Sequence, residues 1–475
     1  MTLGEAGALA VPTIIVVRML WIWIGRIGAL TTWDYGPAQL AIHSDMVRHG
    51  MPLYRDFRVA PFLPLVYGPL VPALVARLAL LFGDGPHAAL EAGRALTIVA
   101  TFISAAMIFF LARRMKVSIA AAILAGLAFM LSPIVLRWGF AYRVDMPVLA
   151  CELCGLFAFA DGATAIALAF FIISFFIKQV HAVGIATAVL FCWINGGRRR
   201  ALHLALIWVL AVTAGTTLLA VWYPDYLLNA FGAVRTRRLD FIAPLLFFSI
   251  LIGGNLGVTL FAIIALTRKI GIDLLMLLFL IVASIHDLAS CLRWGSNAYY
   301  FLPALAALAV VSSVGIDRAL TRMRTMPKLP QLAGGLALAM LFSMGYFLAP
   351  RTITADVAGA DPWDPRALTL LRSIDGPILT DVAELKLVDT QKNLQWIDLM
   401  VLTSMQQIGS FDDSPLVGTI ERREIAAFAL DDEGLARSFR GRALFWPRIR
   451  SAIEKNYEAV PTIGPPYIMV RRNRK

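Results

Sequence analysis

Apolar residues in this chain run in long blocks, and the basic residues gather in short clusters between them. A helix needs ~17–25 apolar residues to cross a ~30 Å hydrocarbon core. Blocks that approach or reach that length lie near 8–30, 62–82, 94–112, 118–136, 146–160, 163–177, 179–195, 201–221, 242–266, 270–288, 298–316 and 331–349. Short loops rich in Lys and Arg stay cytoplasmic. If 62–82 crosses, the clusters at Arg113, Arg114 and Lys116, at 198–200, at Arg268 and Lys269, and between Arg318 and Lys328 all fall outside. If 62–82 instead lies in the interface, all four fall inside. Its prolines Pro61, Pro64, Pro69 and Pro72 also suit a broken juxtamembrane segment better than a straight span. The pattern therefore predicts about eleven transmembrane helices, a cytoplasmic N-terminus and an outer C-terminal tail.

After residue 349 the pattern changes. Residues 350–475 carry charged runs such as 421–424 and 431–433, and short strand-like pieces such as 377–380 and 467–470. Alternating strand-like and helix-like pieces predict a small α/β domain, expected here as an outer cap that helps hold an acceptor. Two domains follow, 1–349 in the membrane and 350–475 outside it. Asp412 and Asp413 resemble a metal pair, but a turn or helix cap explains them as well.

Composition agrees with a membrane protein. The 475 residues are 59% hydrophobic and 16% charged, with mean hydropathy +0.73, whereas soluble proteins carry nearer a quarter charged residues. The net charge of +12 resides in loop clusters that orient membrane helices, so nucleic acid is not the expected partner. The four cysteines lie in or beside apolar segments. Cys151 and Cys154 form a C-x-x-C inside a predicted helix with no second pair or His, which reads as packing. The first apolar run lacks a preceding basic region and a convincing cleavage site, so a retained span is expected. Neither H-E-x-x-H nor G-x-x-x-x-G-K-[ST] occurs, against a zincin protease or P-loop pump.

A second set of charges falls on the outer side in this topology: Asp34, Arg48, Arg55, Asp56, Arg58, Arg94, Arg143, Asp145, Lys178, Arg235, Arg237, Arg238, His286, Asp287 and Arg293. Ionisable residues at a membrane face mark a ligand or a pathway, unless their long stems merely carry the charge to the headgroups. The stretch 32–39 (TWDYGPAQ) brings Asp34 out directly after the first helix, and Tyr54 and the arginines follow within thirty residues. A carboxylate can accept a proton from an attacking hydroxyl, and guanidinium groups match phosphate oxygens.

This arrangement resembles the GT-C superfamily of integral membrane glycosyltransferases. Within it the chain is similar to the group of protein O-mannosyltransferases, aminoarabinose transferases and rhizobial lipopolysaccharide glycosyltransferases. The resemblance rests on Asp34 followed by 50–58 (GMPLYRDFR), on 141–147 (AYRVDMP), on 176–179 (FIKQ) and on 293–302 (RWGSNAYYFL). The resembling families also carry juxtamembrane helices in the first outer loop. One departure stands out: Tyr35 follows Asp34 where the mannosyl- and aminoarabinosyltransferases have a second acidic residue.

The resemblance implies a mainly α polytopic membrane protein. It further implies transfer of a sugar from a polyprenyl-phosphate donor to an envelope glycan, lipid or protein acceptor on the outer face of the plasma membrane. Asp34 is then the expected base, and Asp145 either orients Arg143 or meets the acceptor. Arg143, Lys178, Arg238 and Arg293 are expected to hold the donor phosphate. Arg48, Tyr54, Arg55, Asp56, Arg58, Arg94, Tyr299 and Tyr300 are expected to line the substrate. No metal ligands are assigned, and a divalent cation is left open. A single displacement would invert the anomeric carbon. The competing class is a transporter or flippase of a lipid-linked saccharide, in which the buried charges would line a path; the chain shows no internal duplication in its favour.

Overall fold

The computed structural model describes the chain apart from residues 30–34, 60–61, 86, 233–238, 268–271, 294, 349–363, 389–393, 408, 431–437, 440–441, 444–446, 461–466 and 473–475. It is a mainly helical protein with a small mixed sheet. The chain groups into two compact units. One comprises Met1–Ile27, Gly93–Thr216 and Arg238–Ala355, the other Gly28–Ala92, Thr217–Arg237 and Asp356–Lys475. The second unit joins the stretch after α1 to the C-terminal tail, so this grouping differs from the compositional boundary at 349.

The first unit is all helix. α1 (Leu3–Gly25) opens on a capping box in which Thr2 and Glu5 satisfy each other's backbone N–H groups. It packs against α15 (Lys328–Leu348). Of the elements between them, α2 (Tyr35–Arg48) and α3 (Leu70–Leu78) belong to the second unit. The others are α4 (Ala88–Arg114), α5 (Ile119–Met130), α6 (Pro133–Trp138), α7 (Asp145–Ala160), α8 (Thr164–Ile177), α9 (Val183–Ile194), α10 (Arg198–Trp222), α11 (Ile242–Gly254), α12 (Leu256–Thr267), α13 (Leu274–Cys291) and α14 (Leu302–Arg324).

Among the described residues six helices are long and apolar enough to cross a membrane, and a seventh candidate is the bent pair α11–α12. This is a multi-pass membrane protein. α14 is its axis: 94% of its apolar window is buried, against 11% for α10, whose side chains are left for lipid. Small residues explain the difference. Ala304, Ala306, Ala307, Ala309, Ser312, Ser313 and Gly315 keep α14 thin, so α5, α12 and α13 approach closely. At Gly315 a Cβ would stand 2.4 Å from the Phe261 carbonyl oxygen of α12, so any side chain there forces the helices apart.

Three predicted blocks differ from a single straight helix. Block 118–136 is α5 and α6, separated where Ser132 caps Pro133 at the first position of a new helix. Block 242–266 is α11 and α12, which meet at 87° about Asn255. Gly253 and Gly254 are poor helix formers there, and the Asn255 amide turns back to the Leu251 carbonyl at 2.8 Å. Block 62–82 holds only the nine residues of α3 and a 3-10 turn at Ala79–Leu81. Nine residues rise about 14 Å, well short of a ~30 Å hydrocarbon core.

The second unit is α/β. β1 (Ile378–Thr380), β2 (Leu394–Trp396), β3 (Ala427–Leu430), β6 (Tyr457–Ala459) and β7 (Tyr467–Arg471) form one sheet in the order β2-β1-β3-β7-β6; β4 (Ser438–Phe439) and β5 (Arg442–Ala443) pair separately. β1 runs parallel to β2 and β3, with Ile378 opposite Leu394 and Ala427. β7 is antiparallel to β3 and β6. Helices at 383–388, 399–407, 414–421 and 447–456 lie between the strands. Asp412 accepts from the Ser414 N–H at 3.0 Å, and Asp413 sits at the helix N-cap and pairs with Arg448 at 2.6 Å; both serve the turn.

The stretch between α2 and α3 is built into this unit. Phe57 and Phe62 are buried in the same apolar cluster as Phe428, Ile453 and Tyr457. Asn229, fully buried, accepts from the Leu65 N–H at 2.9 Å and donates to the Arg55 carbonyl at 2.8 Å. The Gln39 amide donates to Asp398 at 2.6 Å.

Candidate functional site

Two of the four cations expected to hold a phosphate, Arg143 and Lys178, come together in the first unit. Arg143 lies in the loop between α6 and α7, and that loop is fixed from both sides. Thr101 donates to the Gly139 carbonyl at 3.0 Å. The Tyr142 ring, fully buried, rests on the bare Cα of Gly93, where a Cβ would come within 2.1 Å of the ring. Asp145 begins α7. Lys178 ends α8 in an extended conformation and opens a turn that the His181 N–H closes onto the Lys178 carbonyl at 2.9 Å. Tyr299 and Tyr300 belong to the 3-10 turn Ala298–Phe301, which the Asn297 side chain caps at 2.7 Å.

Asp145 joins the two cations: Oδ1 accepts from Lys178 Nζ at 2.6 Å and Oδ2 from Arg143 Nε at 3.0 Å. Arg143, Asp145 and Lys178 are each 4% exposed. The Arg143 guanidinium lies 3.9 Å above the Tyr299 ring centre and 5.3 Å from that of Trp138. Lys178 Nζ lies 4.2 Å above Tyr300. Tyr299 and Tyr300 stack at 5.0 Å, and Trp138 meets Tyr299 edge-on at 5.0 Å. Aromatic faces stabilise desolvated cations. Two cations and one carboxylate leave the trio with one net positive charge in a water-poor interior.

Behind the Lys178 turn lies a second polar cluster. Glu152 Oε1 accepts from the N–H groups of Val183 and Gly184, at 3.0 and 3.3 Å, and so caps the N-terminus of α9. His181 Nδ1 faces Glu152 Oε2 at 3.7 Å. His286 and Asp287 complete the cluster from α13, with the His181 and His286 rings 5.1 Å apart. The sequence reading counted His286 and Asp287 among the outward charges without a role and passed over Glu152 and His181. A carboxylate inside an apolar run is itself a signal.

The other expected residues divide. Asp145 contacts both cations, so the orienting role is the one its geometry supports. Arg94 is 2% exposed and donates to the carbonyls of Ile27 at 3.0 Å and Arg26 at 3.4 Å, with its guanidinium 5.0 Å over Phe140; it ties down the end of α1. Arg293 is exposed, its backbone bridged to Leu239. Asp34 and Arg238 lie outside the described residues. In the second unit Arg48 pairs with Asp84 at 2.5 Å. Asp56 and Arg58 form a bidentate pair at 2.8 and 2.9 Å, while the Arg55 carbonyl is held by Asn229. Tyr54 is buried, donates to the Tyr67 carbonyl at 2.8 Å and packs edge-on against Tyr226 at 4.9 Å. These contacts build the loop. Among the described residues no group of three His, Cys, Asp or Glu side chains converges as a metal would require. Cys151 and Cys154 are free thiols on α7.

No protein-family model matches the chain, and no curated protein does. Solved structures do. ArnT from Cupriavidus metallidurans, an aminoarabinose transferase, is similar over 96% of this chain and 97% of its own, at 15% identity. The TM-score is 0.63 for its form bound to undecaprenyl phosphate and 0.64 for the apo form. The oligosaccharyltransferase of Archaeoglobus fulgidus, tethered to an acceptor peptide, is similar over 99% of this chain and 74% of its own, at 12% identity and TM-score 0.52. The chain has the fold of the GT-C membrane glycosyltransferases.

Proposed function

We propose that the protein is a membrane glycosyltransferase that moves a sugar from a polyprenyl-phosphate donor to an envelope acceptor, a glycan, lipid or protein. The observation that carries this reading is the buried Arg143–Asp145–Lys178 trio, in which two cations held by one carboxylate lie against the rings of Tyr299 and Tyr300. A lipid phosphate suits paired cations of this kind, and its chain stays in hydrocarbon. The likeness to ArnT, solved with undecaprenyl phosphate bound, supports the same donor class.

In the reaction, the bond between the anomeric carbon and the phosphate oxygen breaks as the acceptor oxygen bonds to that carbon. The electron pair of the broken bond stays on the polyprenyl phosphate, where Arg143 and Lys178 offset the developing charge. The acceptor proton passes to Asp34, the base in this reading, and the single displacement inverts the anomeric carbon. Asp145 fixes the two cations and does not itself take the proton. The reaction is placed on the outer face of the plasma membrane, with the C-terminal tail on that side.

The test uses purified protein in detergent with synthetic polyprenyl-phosphate sugars. Release of polyprenyl phosphate together with a glycosylated acceptor is the expected result. Movement of a labelled glycolipid across liposomes, without transfer from any donor, would assign the chain to the transporters instead.

A further inference from the structure

The two halves of the cage are carried by distant parts of the chain, and one side-chain pair reaches both. His286 Nε2 donates to the Val180 carbonyl at 3.0 Å, inside the turn that carries Lys178. Its other nitrogen, Nδ1, lies 2.9 Å from Asp287 Oδ1. Asp287, fully buried, accepts from the Ala304 N–H at 2.9 Å through Oδ2, at the start of α14 directly after Tyr299 and Tyr300. On this path two adjacent residues of α13 bridge the lysine turn and the first turn of α14, which continues the tyrosine turn.

Building on the donor site proposed above, we infer that His286 and Asp287 are positioning residues that hold Lys178 against Tyr300 at the distance a lipid phosphate requires. The hydrogen bonds define how the pair works. A carbonyl only accepts, so Nε2 carries a hydrogen. Nδ1 can then bond to Asp287 only if one further proton lies between them, on the ring or on the carboxyl. An amide at 287 meets the same demands differently: its N–H₂ donates to Nδ1 and its oxygen accepts from Ala304. Asp287→Asn therefore keeps all three bonds, Asp287→Ala removes two, and His286→Phe fills the ring's place while losing both of its own.

The dissociation constant of undecaprenyl phosphate and the hydrogen exchange of amides 178–184 distinguish these variants. His286→Phe and Asp287→Ala should each weaken binding about tenfold, the scale of one buried hydrogen bond, and speed exchange in the turn. Asp287→Asn should stay within about twofold on both measures. Wild-type exchange in both His286→Phe and Asp287→Ala would overturn the inference. Faster exchange with unchanged binding would overturn it too, because the hold would then not serve the ligand. If the wild-type protein bound no undecaprenyl phosphate, the donor reading would fall, and exchange alone would still show whether the pair holds the turn.

Discussion

Replacing Asp145 by Asn tests the charge arithmetic of the cage. The carboxylate lies 2.6 Å from Lys178 Nζ and 3.0 Å from Arg143 Nε. At an effective dielectric constant of ~20 each pair is worth roughly 6 kcal/mol before the cost of taking the charges out of water. After that cost and relaxation, breaking a buried pair from one side typically destabilises by about 3–5 kcal/mol, because the remaining charge is uncompensated. Asp145→Asn removes the carboxylate that both cations share, so thermal stability in detergent should fall by several degrees. Undecaprenyl phosphate should then stabilise the variant more than it stabilises the wild type. The double variant Asp145→Asn/Lys178→Met returns the group to one net positive charge and should recover much of the loss, a coupling expected of direct contacts. A cost below about 1 kcal/mol for Asp145→Asn, or a double variant less stable than either single one, would refute the reasoning.

Four further outcomes are expected. Lys178→Ala or Arg143→Ala should raise the KM or Kd for the lipid-phosphate donor with little change in expression; wild-type values in both would show that these cations do not meet the phosphate. Asp34→Asn should lower turnover by ~10²–10⁴-fold with donor binding intact, whereas a structural Asp would tolerate Asn as a cap. In the second unit, burial pushes His43 down to about 4, with Arg55 acting in the same direction and the Pro64 carbonyl opposing. The folded state resists the proton that the unfolded chain takes near 6.5. Its contribution is therefore complete above about 6.5 and is lost as the pH falls toward 4, by about 3 kcal/mol; His43→Gln should flatten that part of an unfolding-against-pH profile. Outer-active reporters fused after Pro86 and Arg351 should be active and those after Met115 and Gly197 silent, and activity at Met115 would restore 62–82 as a span.

The fold class was legible because apolar length and basic clustering are read directly along the chain. The cage was partly legible as well: Arg143 and Asp145 stand two positions apart, and Lys178 interrupts two apolar runs. Their union was not, since the Lys178–Asp145 contact joins residues 33 positions apart and nothing local encodes it. The breaks at Ser132 and Asn255 were hidden for a different reason. A buried membrane helix is apolar on every face, so no periodicity marks where one helix stops and the next begins. The burial of Phe57 and Phe62 was not legible either, because their partners Phe428 and Tyr457 lie in strands far along the chain. Glu152 and His181 went unnoticed for lack of a motif, although each is an ionisable residue beside or within an apolar run.

The two helices that meet at Lys178 are short, fourteen and twelve residues, or about 21 and 18 Å. A hydrocarbon layer of ~30 Å is thicker than either, and such mismatch is relieved when the bilayer thins or when headgroups and water follow the protein inward. Where a bilayer spans this hairpin, the lipid surface beside it dimples. On the donor reading proposed above, a prenyl chain then remains wholly among acyl tails while its phosphate sinks only a short way to meet the lysine. A short hairpin of this kind shapes the solvent as well as the ligand: the membrane bends toward it, and the most polar atom of such a donor is spared the crossing of dry hydrocarbon.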